Sequence, residues 1–193
     1  MEIYPGTERI ALPLRDSMTE SDVTQEAVGS DPTRALLRHL LATLAYRASK
    51  VLRDAPAGFD NFSFSPSTRS PVLIVTHLGD LLEWALRTAK GEMVWRAAGS
   101  HGWNSDLERF FVALSALDEY FASGSPLVNP AETLIQGPLA DALTHVGQLA
   151  MLRGAFGAPI RPESYGRAAI VAGSVGLDQA PPRREFDGDA SVV

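Results

Sequence analysis

Four stretches of this chain repeat apolar residues at the helical interval, and each is bracketed by residues that start and stop helices. Asp31 is a good N-cap and Pro32 suits the first helical position, where its missing N–H costs nothing. Leu37, Leu41, Leu44, Ala48 and Leu52 then carry one stripe over residues 32–54, ended by Pro56 and Gly58. Ser70 and Pro71 open a second helix that runs to about residue 90. A capping box, Ser105 with Glu108, marks the third, whose stripe is Phe110, Leu114, Leu117 and Phe121 and whose stop is Gly124 with Pro126. Asn129, Pro130 and Glu132 open the fourth, which continues to about residue 156 and ends at Gly157 and Pro159.

Leu134, Leu139, Leu143, Val146, Leu149 and Leu152 surround the fourth helix on most sides, which predicts a central, largely buried element. The Gly137–Pro138 pair should kink it. A short further helix is expected over residues 163–172. The chain is therefore predicted to be all-α, four long helices plus extras, with links short enough for antiparallel neighbours. Residues 1–29 read as an N-terminal extension in which residues 10–14 could dock on the helices, 30–176 as the helical domain, and 177–193 as a polar tail.

Composition narrows the function classes. With 17 Lys plus Arg scattered among 23 Asp plus Glu, and a net charge of −6, the chain lacks the basic face that nucleic acid requires. It contains no cysteine, so disulfides and thiolate metal sites are impossible, and a nucleophilic thiol would have to arrive with a substrate. Residues 1–14 lack the pattern of a secretory signal, and no uncharged apolar stretch approaches the ~20 residues of a spanning helix. The cytoplasm is the expected compartment, and no membrane partner is expected. No phosphate-cradling loop or serine elbow is present; the GSVG at residues 173–176 is too short for either.

One constellation carries chemistry. His77 shares a helix face with Ile74, Leu78, Leu81 and Trp84, and Asp141 and His145 stand four apart on the most apolar helix. That spacing places both side chains on one face, a turn apart, as in paired ligands of zinc enzymes. A buried carboxylate at Asp141 would need a cation or several donors. A direct hydrogen bond between Asp141 and His145, with His77 a satisfied core histidine, is the plainer alternative. Gln148 and Asp80 stand where they could orient a ligand, and Asp80 could instead bind the ion. Glu163 and Tyr165 could close one end of a pocket. His39 reads as a helix-surface residue, His101 as part of a turn, and Trp84 and Trp103 as core or wall residues.

The text around these residues, THLGDLLEWAL with DALTHVGQLAMLRGAFGAPIRPESY, closely resembles the DinB-like superfamily of bacterial metal-binding helical bundles. The resemblance spans about residues 31–176. It rests on His77, on HVGQ at residues 145–148, and on the Leu-Arg-Gly and PES-Tyr segments that follow. It implies a DinB-like four-helix bundle with a short additional C-terminal helix, and a metal held by one histidine of the second helix and two of the last long one. His77 and His145 fall on two of these positions, and Asp141 stands in place of the third histidine. The set His77, Asp141 and His145 suits Zn²⁺, Ni²⁺, Mn²⁺ or Fe²⁺ with coordination positions left open. Relatives implied by the resemblance include thiol-dependent S-transferases, so the expected partners are a low-molecular-weight thiol and a small electrophile, with a homodimer as a candidate assembly. A metal-dependent hydrolase and a non-catalytic stress-response or binding bundle with a structural metal are the alternatives.

Overall fold

Asp31 begins the fold as its side chain suggests: Oδ1 accepts hydrogen bonds from the Thr33 and Arg34 backbone N–H groups, with Pro32 in the first turn of α1 (Pro32–Leu52). The computed structural model describes residues 31–186, so the reading of residues 1–29, including docking by 10–14, lies outside the described residues. Three further long or interrupted helices follow. They are α2 (Pro71–Ala89), α3 (Trp103–Ala122), and a third run made of α4 (Ala131–Leu134), a π-turn (Ile135–Leu139) and α5 (Ala140–Ala155). A single 3₁₀ turn, Tyr165–Arg167, stands where a short C-terminal helix was expected, because the chain there is drawn out to pair with residues 184–186. Among the described residues the protein is all-α, with one isolated β-bridge between Glu163 and Glu185.

The principal packing pairs are α1 with α3, α3 with α2, α2 with α5, and α5 with α1, which close a ring around one core. That core holds the expected stripe of α3 (Phe110, Leu114, Leu117, Phe121) against Leu37, Leu41 and Leu44 of α1, Leu78 and Leu82 of α2, and Leu149 of α5. Consecutive helices α1 and α2 thus lie across the core from each other. The loop between them crosses one end of the ring, plugged there by the fully buried Phe59, which packs edge-on against Trp103 and Phe156.

The expectation of antiparallel neighbours fails for α2 and α3. Thr76 meets Asp106 and Asp80 meets Arg109, so numbering rises together along both helices and they run parallel. Residues 90–102 make this topology reachable. They run back alongside α2, where Trp95 meets His77 and Trp84, and the Ala98 N–H donates to Asp80. At ~3.3 Å per extended residue such a segment reaches ~40 Å, more than the ~28 Å length of the 19-residue α2.

A buried polar seam fixes the parallel pair. Asp106 is fully buried; it accepts hydrogen bonds from Thr76 Oγ1 at 2.8 Å, Ser100 Oγ at 2.5 Å and the His101 N–H at 3.2 Å. This anchor explains why α3 starts earlier than its capping box suggested. Gly102, with φ 96°, occupies the cap, and Ser105 lies inside the helix. Burial pushes the Asp106 carboxyl up, but those three donors and nearby Arg109 outweigh it and hold it below the usual carboxylate range. A lowered folded value means that its stabilisation is complete above the unfolded value, about 3.9, and is lost as pH falls through the folded one. Asp106→Asn should therefore cost about 1–3 kcal/mol at neutral pH. Urea midpoints for wild type and variant should converge as pH falls below that range; a constant gap would contradict the ionised role.

At the fourth run, Pro138 has no N–H for the helical ladder and Gly137 adopts φ −94°, ψ −105°, so the helix widens to a π-turn as well as kinking. Trp84 packs against Gly137. The helix starts at Ala131, with Asn129 turned away to donate to the Thr88 carbonyl instead of capping. It is also less buried than its leucines suggested. Ala142, Val146, Leu149 and Leu152 face the core, whereas Met151 is 64% exposed.

Beyond α5 the chain lies back along α1. Lys50 pairs with Glu163 and Glu185, Ser49 and Arg53 donate to the Leu177 carbonyl, and Val175 is buried. Among the described residues no helix is long and apolar enough to cross a membrane.

Candidate metal centre

His77 sits midway along α2 at the edge of its buried stripe, and α5 runs antiparallel beside it. The α5 pair, Asp141 and His145, leaves the helix toward His77, one turn apart. Asp141 Oδ2 lies 3.6 Å from His77 Nε2 and Oδ1 lies 3.5 Å from His145 Nε2. The two imidazoles meet edge to face with centroids 4.8 Å apart. One donor atom from each residue falls within 4.8 Å of the others.

These spacings are long for direct hydrogen bonds. They approach the separation of about 3.4 Å between ligands held 2.1 Å from one tetrahedral ion. Asp141 differs from expectation in one respect: its side chain is 48% exposed, because the first turn of α5 emerges from the π-turn at the surface. It therefore needs no cation merely to offset burial. Its place in the set rests on geometry.

Two features would suit the histidines to binding a metal. His145 Nδ1–H donates to Gln148 Oε1 at 2.8 Å, which leaves the Nε2 lone pair directed at the Asp141 side. Gln148 thus takes the orienting place that its position three residues on suggested. Burial lowers the His77 pKa, His145 and Arg69 lower it further, and Asp141 works in the opposite direction with less effect. The neutral, metal-binding form of His77 is favoured.

Other expectations are redirected. Asp80 does not reach His77: its Oδ1 accepts from the Arg109 guanidinium at 3.0 Å and from the Ala98 N–H at 3.0 Å. Glu163 and Tyr165 belong to the C-terminal segment against Tyr46, Lys50 and Arg47, away from the cleft. His39 and His101 are exposed.

The three donors lie in a cleft of about 490 Å³ whose walls are Ser67, Thr68 and Arg69 from the crossing loop, Ile74 of α2, and Gln148, Met151 and Leu152 of α5. This volume is in the range of small-molecule sites. Sequence reasoning missed Arg69 and Trp95, both in loops without periodicity. Trp95 packs edge-on to His77 at 5.5 Å and stands outside the cleft lining. A faint signal existed for Arg69, since a cation just before a helix start opposes the helix dipole and serves no local purpose.

No protein-family model, curated protein or solved structure matches this chain.

Proposed function

We propose that the protein is a DinB-like metal-binding bundle in which His77, Asp141 and His145 hold one divalent cation, and that it uses a low-molecular-weight thiol to attack a small electrophile. The carrying observation is the convergence of three donors from two helices within an open cleft. Two imidazoles and one carboxylate fit Zn²⁺, Ni²⁺, Mn²⁺ or Fe²⁺. A cation held there would supply the positive charge that favours an ionised thiol, the nucleophilic form. The chain's own contribution is to orient His145 through Gln148, to keep His77 neutral, and to leave the cleft side of the donor set accessible. Because the chain has no cysteine, the thiol is a cosubstrate. A structural-metal bundle is disfavoured by the open cleft, since structural sites are closed by a fourth protein ligand and Asp80 is engaged elsewhere.

Elemental analysis of purified protein, with thermal melts in the presence and absence of chelator, tests the metal. About one ion per chain and a lower melting temperature with chelator are expected. Both imidazoles must be neutral to bind, so affinity should fall as pH drops through the imidazole range. The lowered His77 value delays its share of that loss to more acidic pH. Isothermal titration with Zn²⁺ across pH 5–8 measures this; a flat profile would exclude histidine ligation. Calorimetry of the metal-loaded protein with glutathione, bacillithiol and mycothiol tests the reaction class. Absence of thiol binding at full metal occupancy would favour the non-catalytic bundle.

A further inference from the structure

Arg69 stands at the wall of the cleft that holds the three donors, close enough for its charge to act on His77. The arginines carried by α2, α3 and α5 are engaged. Arg109 binds Asp80 and Glu83, Arg87 lies 3.7 Å from Glu83, and Arg153 donates to the Val51 and Ala158 carbonyls. Among the described residues Arg69 has no such carboxylate or carbonyl partner, and its residue is exposed. The loop carrying it is nevertheless built. Ser65 and Thr68 are tied by reciprocal hydrogen bonds, Thr68 N–H to the Ser65 carbonyl and Ser65 N–H to Thr68 Oγ1, and the Val72 N–H donates to Asp60 O. A turn held by its own hydrogen bonds thus brings the Arg69 guanidinium to the cleft.

Charge then limits what can fill it. Among the described residues that line it, Asp141 is the single carboxylate and Arg69 the single guanidinium beside the two imidazoles. A divalent cation offset by Asp141 alone, with Arg69 alongside, leaves two positive charges uncompensated. A thiolate neutralises one of them; a second anionic group would neutralise the other. A planar guanidinium with parallel N–H donors fits a carboxylate in a two-pronged contact, which an ammonium cannot reproduce.

We infer that Arg69 is a specificity residue that binds a carboxylate on the cleft's occupant, so that the substrate class is a small thiol or electrophile bearing a carboxylate. This rests on the metal reading above.

The test uses Zn²⁺-loaded full-length protein and three probes in calorimetry: 3-mercaptopropionate, 2-mercaptoethanol and succinate. Wild type should bind at least one carboxylate probe about tenfold or more tightly than Arg69→Gln does, with Arg69→Lys between them and 2-mercaptoethanol unaffected. Dependence for 3-mercaptopropionate alone places the carboxylate on the thiol; dependence for succinate places it on the electrophile. Equal affinities in wild type and Arg69→Gln, or no measurable carboxylate binding, overturn the assignment to Arg69 while the metal reading stands. Failure of wild type to take up Zn²⁺ by elemental analysis overturns both.

Discussion

Replacing His145 with alanine is expected to lower Zn²⁺ affinity by more than about 100-fold. Groups that merely orient a ligand are worth about 10–100-fold, and His145 is one of the three proposed protein ligands. Its Nε2 already has a fixed direction, since Gln148 takes the Nδ1 proton. The variant should keep its fold, because the ring sits at the cleft boundary and the core residues beside it, Ala142, Val146 and Leu149, are untouched. Asp141→His should bind as well as wild type or better, since it supplies a third imidazole where the DinB-like pattern has one. Competition titration against a zinc-responsive dye reads both. Wild-type affinity in His145→Ala would remove the residue from the ligand set, and the proposed centre with it.

The largest loss of stability is expected from Lys50→Met. The Lys50 ammonium lies 2.8 Å from Glu163 Oε2 and 2.7 Å from Glu185 Oε1, and the Glu163 side chain has no solvent exposure. Burial pulls the Lys50 pKa down, but its bonds to the two carboxylates raise it above the ordinary value. A raised folded value means that this stabilisation is complete below the unfolded value of about 10.4 and is lost as pH rises through the folded one. It is therefore in full force at neutral pH. Among the described residues, removing the ammonium leaves Glu163 with the Tyr46 hydroxyl, 2.7 Å away, as its side-chain partner. Breaking a buried pair from one side costs about 3–5 kcal/mol. For a urea slope of about 1–3 kcal/mol/M the midpoint should fall by roughly 2 M. Lys50→Met with Glu163→Leu should recover much of it, because the stranded charge is gone. A single variant within about 0.3 M of wild type would show that the pair lacks this role.

Much of the helical skeleton was legible because its signals are local. Asp31 and Pro32 fix the start of α1 without outside help, and the Phe110 to Phe121 stripe could face only a core. Errors arose where distant residues decide. The Ser105–Glu108 box is a valid local cap, yet α3 starts at Trp103 because Asp106 is anchored by Thr76 of another helix. The parallel run of α2 and α3 depends on residues 90–102, which carry no periodicity to read. At the site, helical spacing singled out His77, Asp141 and His145, which the fold brings together, but periodicity could not show that Asp141 emerges at the surface. Asp80 was equally eligible by spacing; only its pairing with Arg109 removes it. Arg69 and Trp95 owe their places to loop paths that spacing rules do not cover.

The loop that crosses the end of the helix ring divides its labour along its length. Its first half is committed: Phe59 is sealed between Trp103 and Phe156, and a change there disturbs the core. Its second half, residues 63–69, is held mainly by its own hydroxyl and backbone contacts, and it walls the cleft with Ser67, Thr68 and Arg69. The proposed metal donors are on helices and the proposed selecting residue on this half-loop, so the two can evolve at different rates. Drift at 67–69 would reshape the cleft wall while the donor set on the helices stays constant. A lineage built on this plan can alter the wall of its cleft without first putting its fold at risk.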